Sequence, residues 1–114
     1  MEISYNLTWN EFEKVEMRVG TIIDAKIFKN AKKPAYQVII DFGEFGIKKS
    51  SAQITKLYNV DEIIGKQIVA VTNFPPKQIA NIMSECLILG AIDENNSVIL
   101  IQTERKVKNG LRIG

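Results

Sequence analysis

Two consecutive prolines, Pro75 and Pro76, stand at the end of an apolar strand, and they constrain this chain more than any other feature. The run Gln67-Ile68-Val69-Ala70-Val71-Thr72 reads as a buried strand. Neither proline has an N–H to give to a ladder, so pairing must stop at Asn73-Phe74-Pro75-Pro76. A polar, basic elbow carrying Asn73, Lys77 and Gln78 follows, and a second apolar strand starts just after Ser84. A sheet that ends so abruptly presents fixed donors at its rim, where binding residues commonly sit. The same segment also reads as a buried turn with structural prolines.

A chain of 114 residues fits one domain spanning 1–114, long enough to fold without a disulfide or a metal. No apolar run approaches the roughly 20 residues of a membrane span, so no membrane insertion is expected. The start Met1-Glu2-Ile3-Ser4-Tyr5 lacks the basic opening and apolar core of a signal peptide. Cys86 is the single cysteine, which excludes an intrachain disulfide and fits a reducing, cytoplasmic location. Histidine is absent, which removes Ser-His and Cys-His nucleophile pairs and His-ligated metals. The adjacent acids Asp61-Glu62 and Asp93-Glu94 look like solvated turns. The expectation is a non-catalytic protein with no cofactor and no metal site.

A net charge of +2 does not by itself identify a nucleic-acid binder, but the distribution is uneven. Glu2, Glu11, Glu13 and Glu16 load the N-terminus with acid. Lys26, Lys29, Lys32 and Lys33 form one basic cluster, Lys48-Lys49 a second, and Arg105, Lys106, Lys108 and Arg112 a third. Each alone reads as solvated surface; a binding role requires that the fold bring them together.

Thr8-Trp9-Asn10-Glu11 reads as a capping box opening a short helix through about Lys14. A strand follows from Met17, with a bend expected at Gly20. Residues 29–34 are a basic loop. Tyr36, Val38, Ile40 and Phe42 share one face of the next strand, and glycines 43 and 46 turn it into a partner from Ile47 to about Gln53. Residues 54–65 are a helical or turn-like connection closed by Gly65. Further strands are predicted at 67–73, 79–82, 85–92 and 98–101, with turns at Asp93-Glu94-Asn95-Asn96 and Asn109-Gly110. Many short strands with one interrupting helical segment suggest an all-β, OB-fold Greek-key barrel, with a β-sandwich as competitor.

Val15-Glu16-Met17-Arg18-Val19-Gly20-Thr21-Ile22, Asp41-Phe42-Gly43, Ser50-Ser51-Ala52-Gln53-Ile54, Gly65-Lys66, Asn73-Phe74-Pro75-Pro76 and Ser84 stand in the order of the tRNA-binding domain, an OB fold. The chain resembles that family, and within it the free-standing CsaA group, from about Phe12 to Gly114. The resemblance implies a homodimer that binds tRNA by shape. It also implies a second candidate role, since the CsaA group is assigned a chaperone role in export and would bind unfolded preproteins in apolar grooves of the dimer. The family's recognition elements fall on Asn73, Ser84 and basic residues near Lys33, Lys48, Lys49 and Lys77. Where many tRNA-binding domains carry a Gly-Met pair after the serine, this chain has Cys86-Leu87, an apolar replacement that the CsaA group tends to share.

Lys48 and Lys49 are strand neighbours and point to opposite faces, so only one can face a binding groove. Asn73 and Ser84 can equally cap turns. Phe74 can stack on a base, plug the barrel end, or line a peptide groove. Cys86 reads as a small core residue. Trp9 and Phe12, on so short a helix, are candidates for a dimer seam or for packing across the barrel mouth.

Overall fold

The structure is a computed structural model and describes residues 2–114. Its organising strand is β1 (Met17–Ile27), long enough to serve several partners. Its first half, Met17 to Thr21, pairs antiparallel with β4 (Gln67–Val71), and its second half, Thr21 to Ile27, with β2 (Tyr36–Asp41). Strand β3 (Ile47–Ala52) follows β2, and β7 (Leu87–Ile88) follows β4, giving the order β3-β2-β1-β4-β7. The last strand, β10 (Arg112–Ile113), pairs with Met17 and Arg18. Two hairpins leave this wall: β5 (Lys77–Ile79) with β6 (Ile82–Ser84), and β8 (Gly90–Ile92) with β9 (Val98–Leu100). The curled sheet closes on itself where β3 meets residues 84–86. The result is an OB-fold barrel and not a sandwich.

Strict alternation on β2 puts Tyr36, Val38 and Ile40 inside, where they meet Ile22, Phe42, Ile54, Ile68 and Ala70. Ile63, from the 3₁₀ turn Val60–Ile63, is fully buried in the same core. That turn is all the helix in the connection after β3, and the connection closes at Gly65, whose φ of +94° a side chain would strain. A second, smaller cluster joins Phe28 and Ala35, which flank the basic loop, to Ile82 of β6, with Ile79 packed against it.

Helix α1 (Trp9–Glu13) carries the predicted capping box. The Glu11 N–H donates to Thr8 Oγ1 at 3.1 Å, and the Thr8 N–H donates to Glu11 Oε1 at 3.0 Å. The Thr8 N–H bond, and a second that Thr8 Oγ1 donates to Glu11 Oε1 at 2.9 Å, hold the Glu11 carboxyl below its ordinary pKa.

Three expectations need correction. The irregularity of β1 is a register shift between Ile22 and Asp24, not a bend at Gly20. Gly20 is glycine for want of room: a Cβ there would lie 2.6 Å from Ile40 Cγ2 and 2.7 Å from the Phe42 ring. Residues 79–82 are not one strand, because Ala80 (φ +50°) and Asn81 turn the chain and pair Ile79 with Ile82. Residues 85–92 are two short strands, since the chain leaves β4 after Ile88 and takes up β9 from Gly90.

Candidate nucleic-acid interface

The closing seam of the barrel sets the geometry of the site. Glu85 N–H donates to the Lys49 carbonyl at 2.7 Å, and the Lys49 N–H donates back to Glu85 Oε1 at 3.0 Å. The Ser51 N–H donates to Ser84 Oγ at 3.2 Å, and Ser50 Oγ donates to the Cys86 carbonyl at 3.0 Å. Only the first is a backbone ladder bond; side chains complete the other three. The seam therefore joins β3 to the root of the β5–β6 hairpin without continuing a regular sheet.

Outside this seam the hairpin stands over the outward face of β3 and makes a trough. Two adjoining concavities, of about 390 and 540 Å³, share Ser51, Gln53 and Ile79 as a common floor. The first is walled by Phe74, Pro75, Lys77, Ser84 and Leu87. The second runs on to Asn30, Lys32, Lys33 and Gln78. The charged side chains lining both are Lys32, Lys33 and Lys77, with no carboxylate among them. The Phe28–Ala35–Ile82 cluster holds the hairpin tip and the basic loop together, which is why residues 44 positions apart face one space.

Lys33, Phe74, Lys77 and Ser84 are thus brought together. Phe74 is 56% exposed and forms part of the trough wall, so it does not plug the barrel. Lys49 shares the strand parity of Ser51 and Gln53, the trough side of β3. Lys48 takes the inward parity of Ser50, opposite Ile40, and its charge acts on Cys86. Burial nonetheless dominates at Cys86 and pushes the thiol up to about 11, so it is protonated at neutral pH.

Asn73 is engaged elsewhere. Its Oδ1 accepts from the Glu16 N–H at 3.0 Å and its Nδ2 donates to the Lys14 carbonyl at 2.6 Å. Sequence reasoning missed Ser51, Gln53 and Asn30 as trough residues and Glu85 as a seam residue. Strand alternation on β3 was the available signal for Gln53.

Trp9 is 82% exposed and Phe12 is half-buried. They border a separate concavity of about 510 Å³ with Val15, Arg112 and Ile113, so Trp9 does not pack across the barrel mouth within one protomer. Ile3, Tyr5 and Leu7 before the helix are exposed as well. Among the described residues, no helix is long and apolar enough to cross a membrane.

Residues 17–112 match the family model described as "Putative tRNA binding domain". The chaperone CsaA of Bacillus anthracis is 47% identical, with 95% of this chain and 98% of that one covered and a TM-score of 0.90. The CsaA chaperone protein of Picrophilus torridus is 50% identical, with 95% and 99% covered and a TM-score of 0.89. The methionine–tRNA ligase of Leptospira biflexa is 36% identical over 104 residues, 91% of this chain but 15% of the ligase. The chain spans 14 to 15% of the length of the curated ligases it matches.

Proposed function

The chain belongs to the tRNA-binding-domain family and to its free-standing CsaA group, and we propose that it is a non-catalytic, cytoplasmic homodimer that holds tRNA in the trough beside β3. The observation that carries this reading is the lining itself: three lysines, several amides and hydroxyls, and no carboxylate. Lys32, Lys33 and Lys77 take phosphates, with Lys49 on the same face of β3, which gives affinity without sequence choice. Ser84 and Gln53 reach sugar or loop groups, and Phe74 offers a face to an unstacked base. Asn73 holds the frame, and Lys48 lies on the inward parity of β3, opposite Ile40. The dimer is supported by the apolar side chains left in water at Ile3, Tyr5, Leu7 and Trp9. A monomer in sedimentation at micromolar concentration refutes it.

A second reading has its own support. Phe74, Pro75, Ile79 and Leu87 give part of the trough an apolar wall, and relatives half identical to this chain are described as chaperones. In that reading an unfolded preprotein segment lies where the RNA would.

Salt separates the two. Binding of tRNA weakens steeply as salt rises, whereas apolar peptide binding does not. Lys77→Ala and Lys33→Ala should each weaken binding to all tRNAs about equally and reduce the slope of log affinity against log salt by about one unit or slightly less. If neither variant changes tRNA affinity while unfolded-peptide binding drops, the RNA reading fails at this trough.

A further inference from the structure

Asn73 sits at the junction between two surfaces that are separate in the protomer. On one side it is followed directly by Phe74 and Pro75, which wall the trough. On the other its amide grips the segment that leaves α1, through the Lys14 carbonyl at 2.6 Å and the Glu16 N–H at 3.0 Å. The neighbouring Thr72 N–H adds a bond to the Glu16 carbonyl at 2.8 Å. Helix α1 has five residues and buries none of them. Isolated helices shorter than about 12 residues are marginal in water, so its seat depends on such tethers. The other tether among the described residues is Arg112, whose Nη2 donates to the Glu13 carbonyl at 2.8 Å.

We propose that Asn73 is a positioning residue that couples occupancy of the trough to the seating of α1, and through α1 to self-association. The inference rests on the reading that the trough binds tRNA and that the face around Trp9 is the dimer seam. The bistable element is α1, seated or released. A ligand packed against Phe74 and Pro75 transmits its position to Asn73, because the prolines at 75 and 76 leave the elbow few alternative directions. A fixed amide holds residues 14 and 16, and so presents Trp9 and Phe12 in one orientation to a second copy. Coupling of this kind is reciprocal: dimer formation must raise tRNA affinity by the factor by which tRNA tightens the dimer. Two exposed neutral hydrogen bonds set that factor at roughly five- to tenfold.

Trp9 is the only tryptophan, so its fluorescence reports on α1. Sedimentation with and without tRNA, together with Trp9 emission during tRNA titration, tests the proposal on the full chain. In the unsubstituted protein, tRNA should tighten the dimer roughly five- to tenfold and shift Trp9 emission. Asn73→Ala should weaken the RNA-free dimer by a similar factor, abolish the Trp9 response, and leave the salt slope of tRNA binding unchanged. Asn73→Asp keeps the acceptor for Glu16 and loses the donor to Lys14, so its RNA-free dimer should fall between the two. If Asn73→Ala lowers tRNA affinity while the dimer and the Trp9 response stay intact, Asn73 is a direct RNA contact and the proposal is overturned. Failure of the unsubstituted protein to bind tRNA or to dimerise overturns the functional reading first; a dimer that binds tRNA without coupling overturns only this inference.

Discussion

Replacing Glu85 should open the barrel at its closing seam. The carboxylate accepts the Lys49 N–H at 3.0 Å at a half-buried position, and the Glu85 backbone answers with a bond to the Lys49 carbonyl. Glu85→Ala removes the charge-assisted bond and leaves the Lys49 N–H without its acceptor. A hydrogen bond to a charged group contributes about 1.5–3 kcal/mol, and partial exposure puts this one near the lower end, at about 2 kcal/mol. With a urea m-value near 2 kcal/mol/M for a chain of this size, the midpoint should fall by about 1 M. Glu85→Gln retains a neutral acceptor oxygen and should lose about half as much. The assay is urea unfolding followed by far-UV circular dichroism, at one fixed protein concentration because self-association would add to apparent stability. The reasoning is refuted if both variants lose the same amount, since the acceptor oxygen would then not be the agent. It is refuted equally if neither midpoint moves, since the backbone bond alone would then hold the seam.

Gly20→Ala should cost about 1–3 kcal/mol by overpacking, because its Cβ would lie within 2.7 Å of the fully buried Phe42 ring; a thermal midpoint equal to the unsubstituted protein's would contradict the packing described. Cys86 sets an alkaline limit: its folded value of about 11 lies above the reference 9.0, so its contribution is intact below about pH 9 and is lost as pH rises toward 11. The two units correspond to roughly 3 kcal/mol at most, and Cys86→Ala should flatten the decline in stability between pH 9 and 11; identical alkaline profiles for both proteins would count against it. The same burial predicts slow modification of native Cys86 by a thiol reagent at pH 7, rising to the rate of a free thiol only on unfolding.

Features written in local chemistry were legible. The Thr8–Glu11 capping box, the inward face of β2, and the turns at residues 93–96 and at Asn109-Gly110 each depend on neighbours in sequence. The β5–β6 hairpin was not legible, because Ala80 and Asn81 carry no strong turn signal. They turn because Ile79 and Ile82 pack against Phe28 and Ala35, some 50 residues upstream. For the site, the Pro-Pro elbow drew attention to Lys77 and Ser84, and both line the trough. Nothing in the sequence said that Asn73 would bond to residues 57 and 59 positions away, nor that Glu85 would complete a strand pairing with its side chain. Such partners are chosen by closure of the barrel, and a single sequence does not encode them at short range.

The prolines explain both the seam and the trough. Strand β4 pairs with β7 only at Ala70–Ile88 and Val71–Leu87, so residues 73–86 are an excursion from the barrel wall. Pro75 and Pro76 start that excursion because they cannot extend the ladder. The chain returns at Ser84–Cys86, where side chains of the returning segment and of β3 stand in for missing backbone pairs. Between departure and return, the hairpin lies along β3 with Lys77 at its root and Ala80 at its tip, beside Lys33. A three-residue strand spans roughly 10 Å. Lys77 lines one concavity and Lys33 the adjoining one, and a nucleic-acid backbone presents successive phosphates that can lie along both. The spread of the cations over two adjoining concavities, as well as their sign, therefore favours a polyanionic strand over a small anion in this trough, and ATP or inorganic phosphate at millimolar concentration should compete poorly with tRNA for it.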